Sequence, residues 1–287
     1  MRRLLLTAAV LLAADTAGGE DPPVFASSVE VVRLDVAVTR KGRAVKGLIG
    51  RDFEVKDNGA RQQVEVVGHE EKPVHAILAL DNSSSLEGDR LARLKAAAHS
   101  LLDVLRPDDT VSLLTFSDRV ELKARPGAPR ERAHAAIEAT EALFSTSLYD
   151  ATFAALTMAD PALGRPVLLV FTDGQDVGSW LRPEQVLRAA RTADLVSHAV
   201  ISEHGRWDAR FLEELATATG GEVWKAEDLE LERTFLAALE EFRSRYTLQY
   251  ASRDDGQETW HDIDVKVRVK GAKVRVREGY LRTDNRP

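Results

Sequence analysis

No cysteine occurs among the 287 residues, which removes disulfides, thiolate metal sites, a cysteine nucleophile and a cysteine-borne lipid anchor. Stability must therefore come from packing, and an apolar fraction of 44% is enough to supply a core at this length. A long block of charge of one sign is also missing. The formal net charge is -7, with basic and acidic residues interspersed, so a clustered basic footprint for nucleic acid is excluded. Beyond the first residues no apolar run approaches the roughly 20 residues needed to cross a bilayer. Glycine-rich P-loop spacing, a G-x-S-x-G elbow and an H-E-x-x-H pair are all absent, and the seven histidines show no comparable metal spacing.

What is present begins with "MRRLLLTAAVLLAADTAGGED", in which Arg2 and Arg3 precede an apolar stretch from Leu4 to Ala14 and a small-residue region. That order is the plan of a secretory signal peptide, expected over residues 1–19. Asp15 spoils the A-x-A-like option ending at Ala17, leaving cleavage open between Ala17 and Gly19. The expected location is exported, either periplasmic or secreted.

From Val29 to Thr39, apolar Val32, Leu34, Val36 and Val38 alternate with mostly polar or small neighbours, the period of a half-buried strand. Two further strand-like runs flank Asp57-Asn58-Gly59, where Asn-Gly supplies the positive φ angles of a tight hairpin. After Pro73 the pattern changes: apolar strands such as "VHAILALD" and "PVLLVFTD" alternate with helical stretches such as "LARLKAAAHSLLDVL", "RERAHAAIEATEAL" and "PEQVLRAARTAD". Such alternation predicts an α/β fold, a doubly wound and mostly parallel sheet with helices on both faces. Period-2 alternation returns from Tyr246 onward, with Gly271 predicted to mark a hairpin between "HDIDVKVRV" and "KVRVREGYL". The two β-rich flanks predict one small discontinuous β-sandwich, residues 24–72 plus 243–283, with an α/β domain over 73–242 inserted between them.

Ligands of open parallel sheets gather at the carboxyl ends of the strands. Asp81, Ser83 and Ser85 stand at one such end, Asp173 at another, and Thr146 lies in a loop between them in sequence. Two carboxylates and three hydroxyls form a hard, all-oxygen set suited to Mg²⁺ and, less strictly, to Mn²⁺ or Ca²⁺. The D-x-S-x-S spacing can turn three short side chains toward one point as the chain leaves the strand. The same residues could also cap a helix beginning near Leu86.

Asp81-Asn82-Ser83-Ser84-Ser85, Thr146 and Asp173-Gly174 together resemble the metal-ion-dependent adhesion site of von Willebrand factor type A domains, in an order and strand context that match over roughly Val74 to Phe242. The resemblance implies that Ser83, Ser85 and Thr146 are hydroxyl ligands and that Asp81 and Asp173 act directly or through water. It also implies that the partner is a protein whose Asp or Glu completes an octahedron. Two departures stand beside it: many members carry Gly-Gly before the threonine where this chain has Phe144-Ser145, and Ser147 is a rival hydroxyl. The flanks, including "VRLDVAVTRKGRAVKGLIGRDFEVKDNGARQQVEVV", resemble exported bacterial proteins of von Willebrand A type abundant in acidobacteria. Asp176 and Trp180, in the loop after Asp173, are candidates for the ligand rim.

Two other readings compete with adhesion. A metal kept for stability would make the chain a scaffold acting through its β-sandwich. An aspartate after an apolar strand also opens phosphotransferases of the haloacid-dehalogenase type, but the general-acid position two residues later is Ser83, which cannot serve that role near neutral pH. The expectation is a binding module without catalysis, with no nucleic-acid partner and no membrane span after signal removal.

Overall fold

The computed structural model describes residues 29–69, 72–202, 209–253 and 260–282; the expected signal peptide lies outside the described residues. The first β-rich flank contains β1 (Val29–Arg40), β2 (Arg43–Ala44), β3 (Phe53–Asp57), β4 (Ala60–Gln62) and β5 (Glu65–His69). The central segment runs β6 (Val74–Asp81), α1 (Asp89–Asp103), β7 (Thr110–Phe116), β8 (Val120–Ala124), α2 (Arg130–Glu138), α3 (Leu148–Leu156), β9 (Arg165–Thr172), α4 (Pro183–Thr192), β10 (Val196–Ser202), α5 (Arg210–Thr219), β11 (Val223–Ala226) and α6 (Leu231–Arg243). The chain then returns through β12 (Tyr246–Arg253), β13 (Trp260–Val267), β14 (Lys273–Arg275) and β15 (Gly279–Leu281).

The central strands form one six-stranded sheet in the order β11-β10-β9-β6-β7-β8, parallel except for the edge strand β8. β6 and β9 are buried along their whole length, as strands covered on both faces must be. Along β6 the side chains alternate between two cores: Ala76, Leu78 and Leu80 face α1 and α6, whereas Ile77 and Ala79 face α3, α4 and α5. Truncation of a wholly buried leucine such as Leu78 to alanine costs about 2–5 kcal/mol in sites of this kind.

The two flanks close into a sandwich of a five-stranded sheet, β14-β1-β12-β5 with β2 on β1, and a four-stranded sheet, β15-β13-β3-β4. The strand period predicted for β1 is realised, with Val32, Leu34, Val36 and Val38 buried in the sandwich core. Asn58 and Gly59 have φ of 45° and 79° and close β3 onto β4 as a tight hairpin. Asp57 staples the two sheets: it accepts hydrogen bonds from Tyr250 of one sheet (2.7 Å) and from Tyr280 (2.9 Å) and His261 Nδ1 (2.6 Å) of the other.

Two local expectations are corrected, and one strand is added. Gly271 does not close a hairpin of β13 on β14, because β14 pairs with Ala37–Thr39 of β1 while β13 pairs with β3, so the turn carries the chain from one sheet to the other. Alternation identifies a strand without naming its partner. The helix predicted through Leu143 stops at Glu138, since Leu143 is drawn into a parallel bridge with Ser83. The strand β8 was not anticipated; five residues, only its last buried, carry little periodic signal.

Candidate metal centre

In the order of the six-stranded sheet, the chain moves from β6 to β7 on one side and later returns to β9 on the other, so the strand order reverses between β6 and β9. That crevice is where open α/β sheets place ligands. Asp81 ends β6, and Asp173 directly follows β9.

Asp81 is fully buried. Its Oδ1 accepts from the Ser83 backbone N–H (2.8 Å) and its Oδ2 from the Thr172 hydroxyl (2.7 Å). The first bond turns the chain out of the strand, and a 3-10 turn over Ser84–Leu86 then leads into α1. Alternate residues thereby face one way, and the Ser83 and Ser85 hydroxyls lie 2.9 Å apart. Gly174 takes φ of 88° and donates its N–H to Thr172 Oγ1 (3.0 Å), bending the chain immediately after Asp173. Thr172 was not assigned a role from sequence; nothing in a strand-ending threonine marks it as the residue that orients the first aspartate.

The third loop is tied to both others. Leu143 donates to the Asn82 carbonyl (2.7 Å), the Asn82 side chain to the Glu141 carbonyl (2.7 Å), and Ser84 Oγ to the Phe144 carbonyl (3.0 Å). Farther along, the Thr146 carbonyl accepts from Val177 (3.0 Å) and Gly178 (2.9 Å) of the loop that follows Asp173. A Cβ at position 178 would stand 2.9 Å from Ser145 Oγ and 3.1 Å from Ser147 Oγ, so glycine lets these two loops nest. Thr146 and Ser147 are both buried here.

Asp176 and Trp180 occupy different surroundings. The Asp176 carboxylate accepts from Ser179 N (3.1 Å) and Tyr149 N (3.3 Å), bracing the start of α3. Trp180 is 95% exposed, while its backbone N–H and that of Leu181 are held by Asp150 at 3.0 and 2.9 Å. Asp150 is a positioning residue the sequence did not single out; an aspartate in the first turn of a helix reads as a helix-dipole partner.

Burial pushes the Asp81 carboxyl up to about 7, against the hydrogen bonds from Ser83 and Thr172, and the charge of Asp173 raises it further. The neighbouring charge is thus a second carboxylate rather than a cation. Two acids in a desolvated corner, beside hydroxyls that donate and accept freely, fit a hard divalent ion. Among the described residues no group of three or more His, Cys, Asp or Glu side chains gathers as a metal site, so the donor set here depends on hydroxyl oxygens.

Residues 76–175 match the family model of the von Willebrand factor type A domain. No curated protein matches the chain. Among solved structures, a von Willebrand factor type A protein from Catenulispora acidiphila is similar over 90% of this chain and 75% of its own, with 12% identity and a TM-score of 0.53. Proximal thread matrix protein 1 from the mussel byssus, in a structure with a zinc-occupied MIDAS motif, is similar over 67% of this chain and 50% of its own, with 17% identity and a TM-score of 0.55. The von Willebrand domain of the type V pili tip protein Mfa5 from Porphyromonas gingivalis covers 60% of this chain and 96% of its own, with 10% identity and a TM-score of 0.50. The chain spans about half the length of the mussel protein. At these identities the likeness is one of fold.

Proposed function

We propose that the von Willebrand factor type A domain carried by this chain binds a protein partner by presenting a divalent cation to the partner's Asp or Glu. Ser83, Ser85 and Thr146 would offer hydroxyl oxygens to the ion, and Asp81 and Asp173 would supply charge. Mg²⁺ suits short hydroxyl ligands at roughly 2.0–2.1 Å, with Mn²⁺ or Ca²⁺ as less strict occupants. Bound there, the ion supplies a centre of positive charge for a carboxylate. The single observation that carries the reading is the wholly buried Asp81 at the switch point of the sheet, with the Ser83 and Ser85 hydroxyls 2.9 Å apart just beyond it.

The chain's own groups set what the ion can do. Thr172 and the Ser83 N–H occupy one lone pair on each Asp81 oxygen and hold the carboxylate in one orientation. If the neutral hydroxyls of Ser83, Ser85 and Thr146 held the cation, its charge would remain available to an incoming acid. A carboxylate that is wholly buried and twice hydrogen-bonded is poorly placed to attack a phosphoryl group, which favours recognition over catalysis. The zinc-occupied motif of the mussel protein supports a divalent ion at the corresponding place. The location we propose is exported, periplasmic or secreted, with domain limits at 24–72 plus 243–283 and 73–242.

The test is a pull-down from the envelope fraction of the source cells with wild type and Ser83→Ala, in Mg²⁺ and in EDTA. Adhesion predicts a partner retained by wild type in Mg²⁺ alone, with melting in EDTA nearly the same for both proteins. Unfolding on EDTA treatment would point instead to a stabilising ion and a scaffold. A partner held equally by the variant would remove the reading.

A further inference from the structure

Most exposed large apolar side chains of the described residues are at most half exposed, but four are not: Phe144 at 87%, Val177 at 72%, Trp180 at 95% and Leu229 at 81%. All four lie in segments at the carboxyl edge of the six-stranded sheet, Phe144 in the connection from α2 to α3 that Ser84 holds against the end of β6. Phe144 precedes Thr146, Val177 and Trp180 follow Asp173, and Leu229 follows β11, which runs parallel to β10 and β9. None is exposed through slack backbone. The Phe144 carbonyl is held by Ser84 Oγ, Val177 N by the Thr146 carbonyl and Trp180 N by Asp150, while Leu229 sits in a 3-10 turn closed by Glu230 N on the Glu227 carbonyl. For Phe144 and Val177 the bonds are among those that tie the loops of the candidate metal corner together, while Trp180 and Leu229 are held by separate contacts. Concentrated apolar exposure on one face marks an interaction surface.

The charges on this edge narrow the partner. Among the described residues, and apart from Asp81, Asp173 and Asp176, this edge carries Glu87, Asp118, Glu141, Glu227 and Glu230 against Arg90, Arg119 and Arg182; Arg119 lies 3.8 Å from Asp118 and Arg90 donates to the Ser85 carbonyl (3.1 Å). Acids outnumber arginines among these groups, so a segment rich in acids meets net repulsion away from the cation, and an anionic membrane meets the same field. We infer that the rim of Phe144, Val177 and Trp180, extended by Leu229, selects a protein segment in which one Asp or Glu stands beside large apolar side chains and away from other acids. This specificity rests on the cation-bridged reading and adds the flanks that the ion itself cannot read.

A display library of 12-residue peptides, with one fixed glutamate and randomised flanks, tests it when selected on the wild type in Mg²⁺. The expected result is enrichment of Phe, Trp, Leu or Ile within two positions of the glutamate and depletion of acids. A selected synthetic peptide should bind the Phe144→Ser/Val177→Ser/Trp180→Ser variant at least tenfold more weakly, with an unchanged melting curve and an unchanged response of that curve to Mg²⁺. Peptides without apolar enrichment, peptides bound equally by the variant, or no enrichment at all would each overturn the inference. Failure of the cation reading looks different: selected peptides would then bind equally in EDTA, or with glutamine in place of the fixed glutamate, while keeping their dependence on the rim. Co-sedimentation with phosphatidylcholine vesicles that is lost in the variant, without peptide enrichment, would assign the surface to lipid and overturn the protein partner.

Discussion

At the amino edge of the six-stranded sheet, Arg165 of β9 lies 2.7 Å from Asp35 of the sandwich, with its guanidinium 4.6 Å above the Phe242 ring, and Arg243 meets Asp109, which also accepts the Val74 N–H that opens β6 (2.7 Å). At the carboxyl edge, the charge acting on buried Asp81 is that of another acid, and large apolar side chains stand in water. Aspartates serve both edges. Where the chain supplies its own guanidinium, the carboxylate is locked into the fold, as Asp35 of the sandwich is against Arg165 of β9; at Asp81 the chain supplies a hydroxyl, a backbone N–H and the charge of a second acid. Burial beside another acid rather than beside a guanidinium, and not residue type, separates the proposed binding edge from the structural one.

The contrast breaks most visibly at the paired edge. Arg243→Ala should lower unfolding stability by about 3–5 kcal/mol, because the wholly buried Asp109 side chain loses its guanidinium partner; a urea midpoint close to wild type would show that the two edges do not differ. Next in size is acid sensitivity where β10 and α6 meet β14 of the sandwich. Burial pushes Glu241 up, but Arg245 and His198 outweigh it and hold its carboxyl well below the ordinary 4.5. Burial holds His198 below the ordinary 6.5, although Glu241 opposes the shift. The His198 Nδ1 accepts from Glu222 N (3.1 Å), which places the ring proton on Nε2, 3.0 Å from Glu241. Below pH 6.5 the unfolded chain binds a proton at His198 that the folded one resists, and below 4.5 the same holds at Glu241. Stability therefore falls as the pH drops through both values, and urea midpoints that rise from pH 7.5 to pH 4 would contradict this.

A smaller effect sharpens the other side of the comparison. In EDTA at pH 8, Asp81→Asn should leave stability within about 1 kcal/mol of wild type or raise it, since it removes a desolvated charge, and it should abolish any rise of the melting temperature with Mg²⁺. A loss of several kcal/mol would mean that Asp81 is structural, like Asp109. The smallest change is expected at Trp180→Ser, within about 0.5 kcal/mol by thermal melting, because the side chain is almost wholly solvated.

Much of this was open to reading in the sequence. The alternation in β1, the Asn58-Gly59 turn and the apolar runs of β6 and β9 specify element types locally, because period and turn chemistry are properties of a few adjacent residues. Asp81, Ser83 and Ser85 were legible as a group for the same reason: their spacing of two and the turn after a strand fix how they face. Thr172 and Asp150 were not, because their partners are 91 and about 30 residues away. The sheet assignments of β13, β14 and β15 were hidden likewise, since identical alternation serves either sheet until the partners are known.

By itself, the amino-acid order determined that a doubly covered parallel sheet would form between two β-rich flanks, and that small oxygen-bearing side chains would crowd one strand end. Tertiary structure decided that β6 and β9 lie side by side, so that Asp173 comes to bear on Asp81, and that Phe144, Val177, Trp180 and Leu229 surround one edge. Hydrophobic periodicity acts within a strand or helix, whereas desolvation, charge coupling and exposure depend on which distant segments the packed core brings into contact.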